Sequence, residues 1–261
     1  MDSKTRRGII AERLRREGEA SIAELATHFG TSEMTIRRDL DLLEIEGLAR
    51  RARGGAISVQ GRGFEPPVLQ RSTEQAEAKR RIGAAGAATL RNNETIVLDV
   101  GSTTHELARA IPETLSITAI TSSLLIATEL ATKPLVRTIV TGGVVRHGEM
   151  SLVGTRAIRS FDDLHSDAVF LGVAGISDEA GLTEYNLDDA DVKRAALASG
   201  RRKVVLADAT KIGRVALVTV APAHTIDVLI TNASPRNETI ERLREQDVEV
   251  IHVEPFEEES R

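Results

Sequence analysis

Cysteine and tryptophan are absent from this chain of 261 residues, and Phe and Tyr together number six. The missing cysteines exclude disulfides, thiol catalysis and Cys-based zinc sites, and they fit a cytoplasmic protein. With aromatics at 2 %, the chain cannot build the stacking platforms that read single-stranded bases, which argues against RNA binding. No run of about 18 apolar residues occurs, so no membrane-spanning helix is expected. The opening MDSKTRRGII is too polar for a signal peptide. None of the six histidines sits in HxxxH or HxxE spacing, so no metal site is expected. What remains is 41 % hydrophobic residues, enough for packed cores.

The net charge of −5 hides an asymmetry, because residues 1–62 carry +2 and the rest carry −7. In the basic part, Ile9, Ile10 and Leu14 suggest a first helix that ends at Gly18. Ser21 can cap a second helix, with Glu24 as its capping-box partner, apolar face Ile22, Leu25, Ala26 and Phe29, and a stop at Gly30. Ser32 can cap a third, in which Ile36, Leu40 and Leu43 form the inner stripe and Gly47 the stop. At 100° per residue the outer face of that helix falls on Met34, Arg38 and Asp41, flanked by Thr35 and Arg37. Arginines near the start of a short outward-facing helix suit the DNA major groove, where a bidentate Arg–guanine contact is worth about 1–3 kcal/mol. Two alternating segments then flank Arg53-Gly54-Gly55, which predicts a hairpin carrying Arg50, Arg51 and Arg53. A basic hairpin after three helices reads as a wing for phosphate or minor-groove contact. Asp39, a carboxylate among these cations, is expected to orient an arginine or to cap locally.

Ser32, Thr35, Ile36, Arg37, Arg38, Asp39 and Leu40 satisfy Ser-x-x-Thr-Ile-Arg-Arg-Asp-Leu, and Leu43, Glu44, Gly47 and the RGGA of residues 53–56 follow. This run resembles the DeoR family of bacterial transcription regulators. The resemblance implies a winged helix-turn-helix over residues 1–59, with Arg37 and Arg38 on its recognition helix.

Residues 60–72, rich in Gly, Pro and charge, read as a linker. Residues 73–261 open with a helix over about 74–90. Apolar strand-like runs then alternate with helices: TIVLDV, SITAIT, LVRTIV, DAVFLGVAGI, KVVLAD, DVLIT and VEVIHV. This pattern predicts an α/β domain with a mostly parallel sheet. In such sheets ligands bind beyond the carboxyl ends of the strands. There the sequence places Asp99-Val100-Gly101-Ser102-Thr103-Thr104, Thr121-Ser122, Thr141-Gly142-Gly143 and Asp208-Ala209-Thr210-Lys211, with Lys193 on an intervening helix. Gly101, three hydroxyls and a helix beginning near Thr104 form a reasonable phosphate cradle, although neither GxxxxGK[ST] nor GxGxxG is present.

The order of DVGSTT, TSS, TGG with SLVG, GLTEYN, DVKRA and DATKIG also resembles the DeoR C-terminal domain, so the likeness runs from about residue 4 to 253. That domain is similar to ribose-5-phosphate isomerase and glucosamine-6-phosphate deaminase folds. The resemblance implies a sugar-phosphate effector with its phosphate near Ser102–Thr104 and polar contacts from Asp99, Lys193, Asp208 and Lys211. Two positions depart from the family: Thr121-Ser122 stands where Thr-Asn is common, and Thr210 where Ser is common.

The resulting expectation is a DNA-binding repressor of a carbohydrate operon, without cofactor, acting on duplex operator DNA as a homo-oligomer, dimer or tetramer. A sugar-phosphate isomerase or deaminase with an appended DNA-binding domain is the alternative, because Asp99, Glu184, Lys193 and Asp208 could serve as acids and bases. Among the histidines, His28 lies on the second helix, His105 just after the Ser-Thr loop and His147 in RHGEMS.

Overall fold

A computed structural model of the chain describes residues 2–17, 19–58 and 65–254. The chain divides into two compact units, Met1–Pro66 and Pro67–Arg261.

The first unit contains α1 (Ser3–Glu17), β1 (Glu19–Ser21), α2 (Ile22–Phe29), α3 (Glu33–Ile45), β2 (Ala49–Ala52) and β3 (Gly55–Ser58). Capping sets the helix starts. Ser21 Oγ accepts from the Glu24 N–H at 3.1 Å, and Ser32 Oγ from the Thr35 N–H at 3.3 Å. Gly30 stops α2 at φ 60°, a left-handed conformation that costs glycine little. Ile10, Leu14, Ile22, Leu25, Ile36, Leu40 and Leu43 form the core. Ile9 does not join it and is 42 % exposed. Ile10 and Leu14 lie one above the other at i and i+4, and Ile9 is turned about 100° away from them. β2 and β3 pair around an Arg53-Gly54 turn, and β1, absent from the sequence reading, pairs with the other edge of β3. A Cβ at Gly55 would stand 2.2 Å from the Ala20 carbonyl oxygen, so β1 can approach only a glycine there.

The second unit opens with α4 (Val68–Arg71) and α5 (Ala76–Ala88). β4 (Thr95–Leu98), α6 (Ser102–Ala110), β5 (Ile117–Thr121), α7 (Leu124–Leu130) and β6 (Val136–Val140) follow. Next come β7 (Val144–Arg146), β8 (Ser151–Val153), α8 (Thr155–Arg159), β9 (Ser166–Gly172), β10 (Gly175–Ser177), β11 (Gly181–Glu184) and α9 (Leu187–Ser199). β12 (Gly200–Leu206), β13 (Val218–Ala221), β14 (Val228–Thr231), α10 (Glu238–Glu245) and β15 (Glu249–His252) complete it.

Seven strands form one parallel sheet in the order β15-β14-β12-β9-β4-β5-β6. Both faces are covered, as the unbroken Val/Ile/Leu runs require. Ile96, Leu98 and Phe170 pack with Ile82 of α5, Leu107 of α6 and Ile126 of α7. Val97, Val169 and Val205 point the other way, onto Ala157 of α8, Ala196 of α9 and Leu243 of α10. The direction of strand addition reverses between β4 and β9, so the crevice beyond their carboxyl ends is the ligand position of such sheets.

Three boundaries differ from the sequence reading. DAVFLGVAGI is not one strand; β9 stops at Gly172, and β10 belongs to a separate antiparallel sheet with β11 and β13. α6 begins at Ser102 rather than near Thr104. In the segment read as a linker, residues 59–64 lie outside the described residues, but Val68–Arg71 is helical and Val68 is buried.

Candidate functional site

On the first unit, α3 presents the predicted residues outward. Met34 is 60 % exposed, Arg37 and Arg38 are exposed, and Thr35 is half-buried against Ser32, with the two hydroxyls 3.0 Å apart. Arg37 pairs with Glu33 one turn back, at 3.3 Å. Arg38 makes no ion pair among the described residues and is free to reach a ligand. Arg50 and Arg53 are exposed on the hairpin. Arg51 stands apart from them: its backbone N–H donates to Glu44 Oε1 at 2.8 Å and its side chain lies 3.5 Å from Asp41, so it braces the hairpin against α3. Asp39 is buried and accepts from Arg6 Nε of α1 at 2.6 Å. The carboxylate that looked out of place among phosphates therefore points inward and fixes α1 to α3.

In the second unit the predicted polar residues gather at the carboxyl ends of the sheet strands. Asp99, just beyond β4, is buried. Its Oδ2 accepts from the Gly172 N–H at 3.1 Å and from Lys193 Nζ at 2.5 Å. Lys193 is 1 % exposed, donates also to the Gly172 carbonyl at 2.5 Å and lies 3.0 Å from Glu184 Oε2. One ammonium thus sits between two carboxylates. Burial pushes the Asp99 carboxyl up to about 6, against the pull of Lys193. Burial alone would lower Lys193, but Asp99 and Glu184 outweigh it and hold the lysine above its ordinary value, fully protonated.

The turn after Asp99 carries Gly101 at φ 142°. No side chain caps the start of α6, and the Thr104 hydroxyl bonds to the Gly101 carbonyl at 2.9 Å. Ser102 and Thr103 are buried at the helix start, where uncapped N–H groups and the helix dipole favour an anion. Beyond β12, Asp208 is buried and accepts from the Thr210 N–H at 3.0 Å and from its hydroxyl at 2.5 Å. Lys211 Nζ lies 6.0 Å from the centre of the Tyr185 ring and the Arg214 guanidinium 5.3 Å from it. Burial pulls Lys211 down to about 8; Asp208 opposes this, and Arg214, Arg71 and Lys79 add to it.

Thr121, the last residue of β5, and Ser122 just after it are buried, with Thr121 Oγ1 accepting from the Ser123 N–H at 3.0 Å. Gly142 and Gly143, beyond β6, are exposed. A Cβ at Gly143 would meet the Val153 carbonyl oxygen at 2.6 Å, so this glycine lets β8 approach. His105 lies 3.7 Å from Glu129 of α7. His28 packs edge-on against Phe29, and His147 is exposed.

Several polar residues of this region escaped the sequence reading. Lys79 of α5 is 3 % exposed, bonds to the Arg71 carbonyl and is lowered by burial. Arg71 pairs with buried Glu149, and Arg146 with buried Asp189. No cluster of acidic and histidine side chains suited to a metal ion occurs among the described residues.

Comparison with known proteins decides the family. Residues 6–62 match the family described as "DeoR-like helix-turn-helix domain", and residues 74–233 match "DeoR C terminal sensor domain". The chain belongs to the DeoR family. The DeoR-family relatives span nearly its whole length. The HTH-type transcriptional regulator GlpR of Haloferax volcanii is 33 % identical over 88 % of this chain and 90 % of its own. The glycerol-3-phosphate regulon repressor of Escherichia coli K12 is 30 % identical over 90 % of this chain and 93 % of its own. Among solved structures, ribose 5-phosphate isomerase A of Methanocaldococcus jannaschii aligns with 53 % of this DeoR-family chain and 55 % of its own, at 15 % identity and a TM-score of 0.40.

Proposed function

We propose that the protein is a transcriptional repressor of a carbohydrate operon, binding duplex operator DNA through α3 and the β2–β3 wing and governed by a phosphorylated sugar in the second unit. The observation that carries the DNA half is the outward set Met34, Arg37 and Arg38 on a capped α3, beside a wing that exposes Arg50 and Arg53. Relatives named as regulators and as a glycerol-3-phosphate regulon repressor support it. Arg37 and Arg38 read bases, and the wing arginines hold phosphates. One recognition helix reads few base pairs, so two copies on adjacent half-sites supply specificity. The protein works in the cytoplasm as a homo-oligomer and needs no cofactor.

Ser102–Thr104 receive the phosphate, and Asp99, Asp208 and Lys211 receive the sugar end. Lys193 sets the pocket's charge by neutralising one of its two carboxylates. This argues for a sensor over an isomerase. Lys193 is protonated and occupied on three sides, so it is not poised to take a proton from a substrate.

The test is fluorescence anisotropy of the full chain on labelled DNA from upstream of its own operon, at fixed salt, with and without a panel of sugar phosphates. Tight binding lost on adding one compound is the expected result. Turnover of a sugar phosphate without any duplex binding would overturn the proposal.

A further inference from the structure

Buried ion pairs lead from the Asp99–Lys193 pocket to the first helix of the second unit. α9 carries Asp189 and Lys193 one turn apart on the same face. Asp189 accepts from Ser151 Oγ at 2.8 Å and pairs with Arg146 Nη2 at 2.5 Å. Arg146 ends β7 and Ser151 begins β8, so both ends of the loop between them are tied to α9. Within that loop Glu149 is 3 % exposed and pairs with Arg71 of α4, while the Gly148 carbonyl accepts from the Val68 N–H at 2.9 Å. The Arg71 carbonyl in turn accepts from buried Lys79. The Arg71–Glu149 ion pair, the Val68 N–H bond to Gly148, Lys79 and the burial of Val68 are thus among the ties that hold this four-residue helix.

Two further facts give this attachment a direction. α4 follows immediately on Pro66-Pro67, where the chain arrives from the DNA-binding unit. A cleft of about 330 Å³ is lined by Val68, Leu69 and Ser72 on one side and by Ser102, His105 and Glu106 of α6 on the other, so it joins α4 to the cradle through Ser102. Arg71 is close enough to Lys79 and Lys211 to lower both, so its guanidinium belongs to the positive field of the pocket. Glu149 is hydrogen-bonded to that guanidinium through Oε2. Burial raises its carboxyl, and its Oε1 has no hydrogen-bond partner among the described residues.

The geometry points to α4 as the output latch of the pocket: an anion bound at Ser102–Thr104 draws Arg71 from Glu149, frees α4 from the Arg146–Ser151 loop and loosens the chain that enters the DNA-binding unit. The latch rests on the reading of this pocket as an effector site. It works because the latched and released states differ in their affinity for the anion, which is what a switch requires. Couplings of the usual size correspond to about 5–150-fold changes in DNA affinity.

Amide hydrogen exchange on the full chain tests it, with inorganic phosphate as the probe and Glu149→Gln as the variant. In the wild type, saturating phosphate slows exchange at residues 102–105 and speeds it at 68–72 by about tenfold. Glu149→Gln speeds exchange at 68–72 by a similar factor without phosphate, and phosphate adds little more. Slowing at 102–105 with no change at 68–72 overturns the latch and leaves the pocket standing. No effect of phosphate at either segment overturns the pocket reading and the latch with it. A folded Glu149→Gln protein whose α4 exchanges at the wild-type rate also overturns the latch. If that variant does not fold, the wild-type phosphate experiment decides alone.

Discussion

Replacing Lys193 by Met removes the one cation that pairs with Asp99 and Glu184 among the described residues while keeping an unbranched chain to fill the space. The two carboxylates, 3 % and 6 % exposed, are then left without their counter-ion. Breaking a buried pair by removing one partner costs about 3–5 kcal/mol. The folded variant has one partial escape, protonation of a carboxyl, and that makes the loss depend on pH. Asp99 already stands at about 6 in the wild type, so relative to the wild type this protonation costs about 1.36 kcal/mol for each pH unit above that value, hence about 1.4 kcal/mol at pH 7 and almost nothing at pH 5. The sign follows from the raised carboxyl. The folded variant holds its proton where the unfolded chain has released it, so its stability falls as pH rises. Asp99, which stands at about 6 even with Lys193 present, is the group that moves first. Urea melts of wild type and Lys193→Met at pH 7 and pH 5 measure this directly. A deficit of about 3–5 kcal/mol at pH 7 that is smaller by about 1 kcal/mol at pH 5 is the expected pattern. A deficit below about 1 kcal/mol at pH 7, or an equal one at both values, would refute the arrangement of one ammonium between two carboxylates.

Arg38→Ala lowers affinity for operator DNA by about 5–150-fold and leaves sugar-phosphate binding intact, read by anisotropy and calorimetry; unchanged affinity removes Arg38 from base contact. Thr103→Val weakens sugar-phosphate binding by about fivefold or more without altering DNA affinity in its absence, and an unmoved dissociation constant would place the phosphate elsewhere. Gly55→Ala forces a methyl group onto the Ala20 carbonyl, so the first unit loses about 1–3 kcal/mol in urea melts; wild-type stability would mean that β1 does not need its close approach to β3.

The parts of this molecule legible from sequence are those that local rules determine. Ser21 and Ser32 cap, Gly30 and Gly47 stop, and the β-strand runs alternate with helices, because each of these depends on neighbours a few residues away. Asp99, Asp208 and the Ser102–Thr104 turn were found because strand ends are where parallel sheets place ligands. The residues that escaped are joined by contacts without any local signature. Arg71 and Glu149 are 78 positions apart. In sequence Lys79 is a helix lysine among charged neighbours; only the packed structure shows it buried. Arg51 looked like a third free wing arginine because nothing in RRAR distinguishes its side from that of Arg50. The break of DAVFLGVAGI into two strands in different sheets was hidden by its unbroken apolar character, which the last residues owe to the small antiparallel sheet instead.

The order of strands in the large sheet also bears on how the chain assembles. An interior strand, β4, next to the middle strand β9, is the first of the seven to be synthesised. β5 and β6 then extend one edge in turn, and β9, β12, β14 and β15 extend the other. Every strand therefore arrives to find its partner already made, and none has to be inserted between two others. Emerging amino-terminus first, the sheet can grow outward from β4 as the ribosome delivers it. The same order leaves one growing edge unpaired until β15, so truncated chains ending after β9 or β12 expose a buried-type strand to water and are the species expected to aggregate.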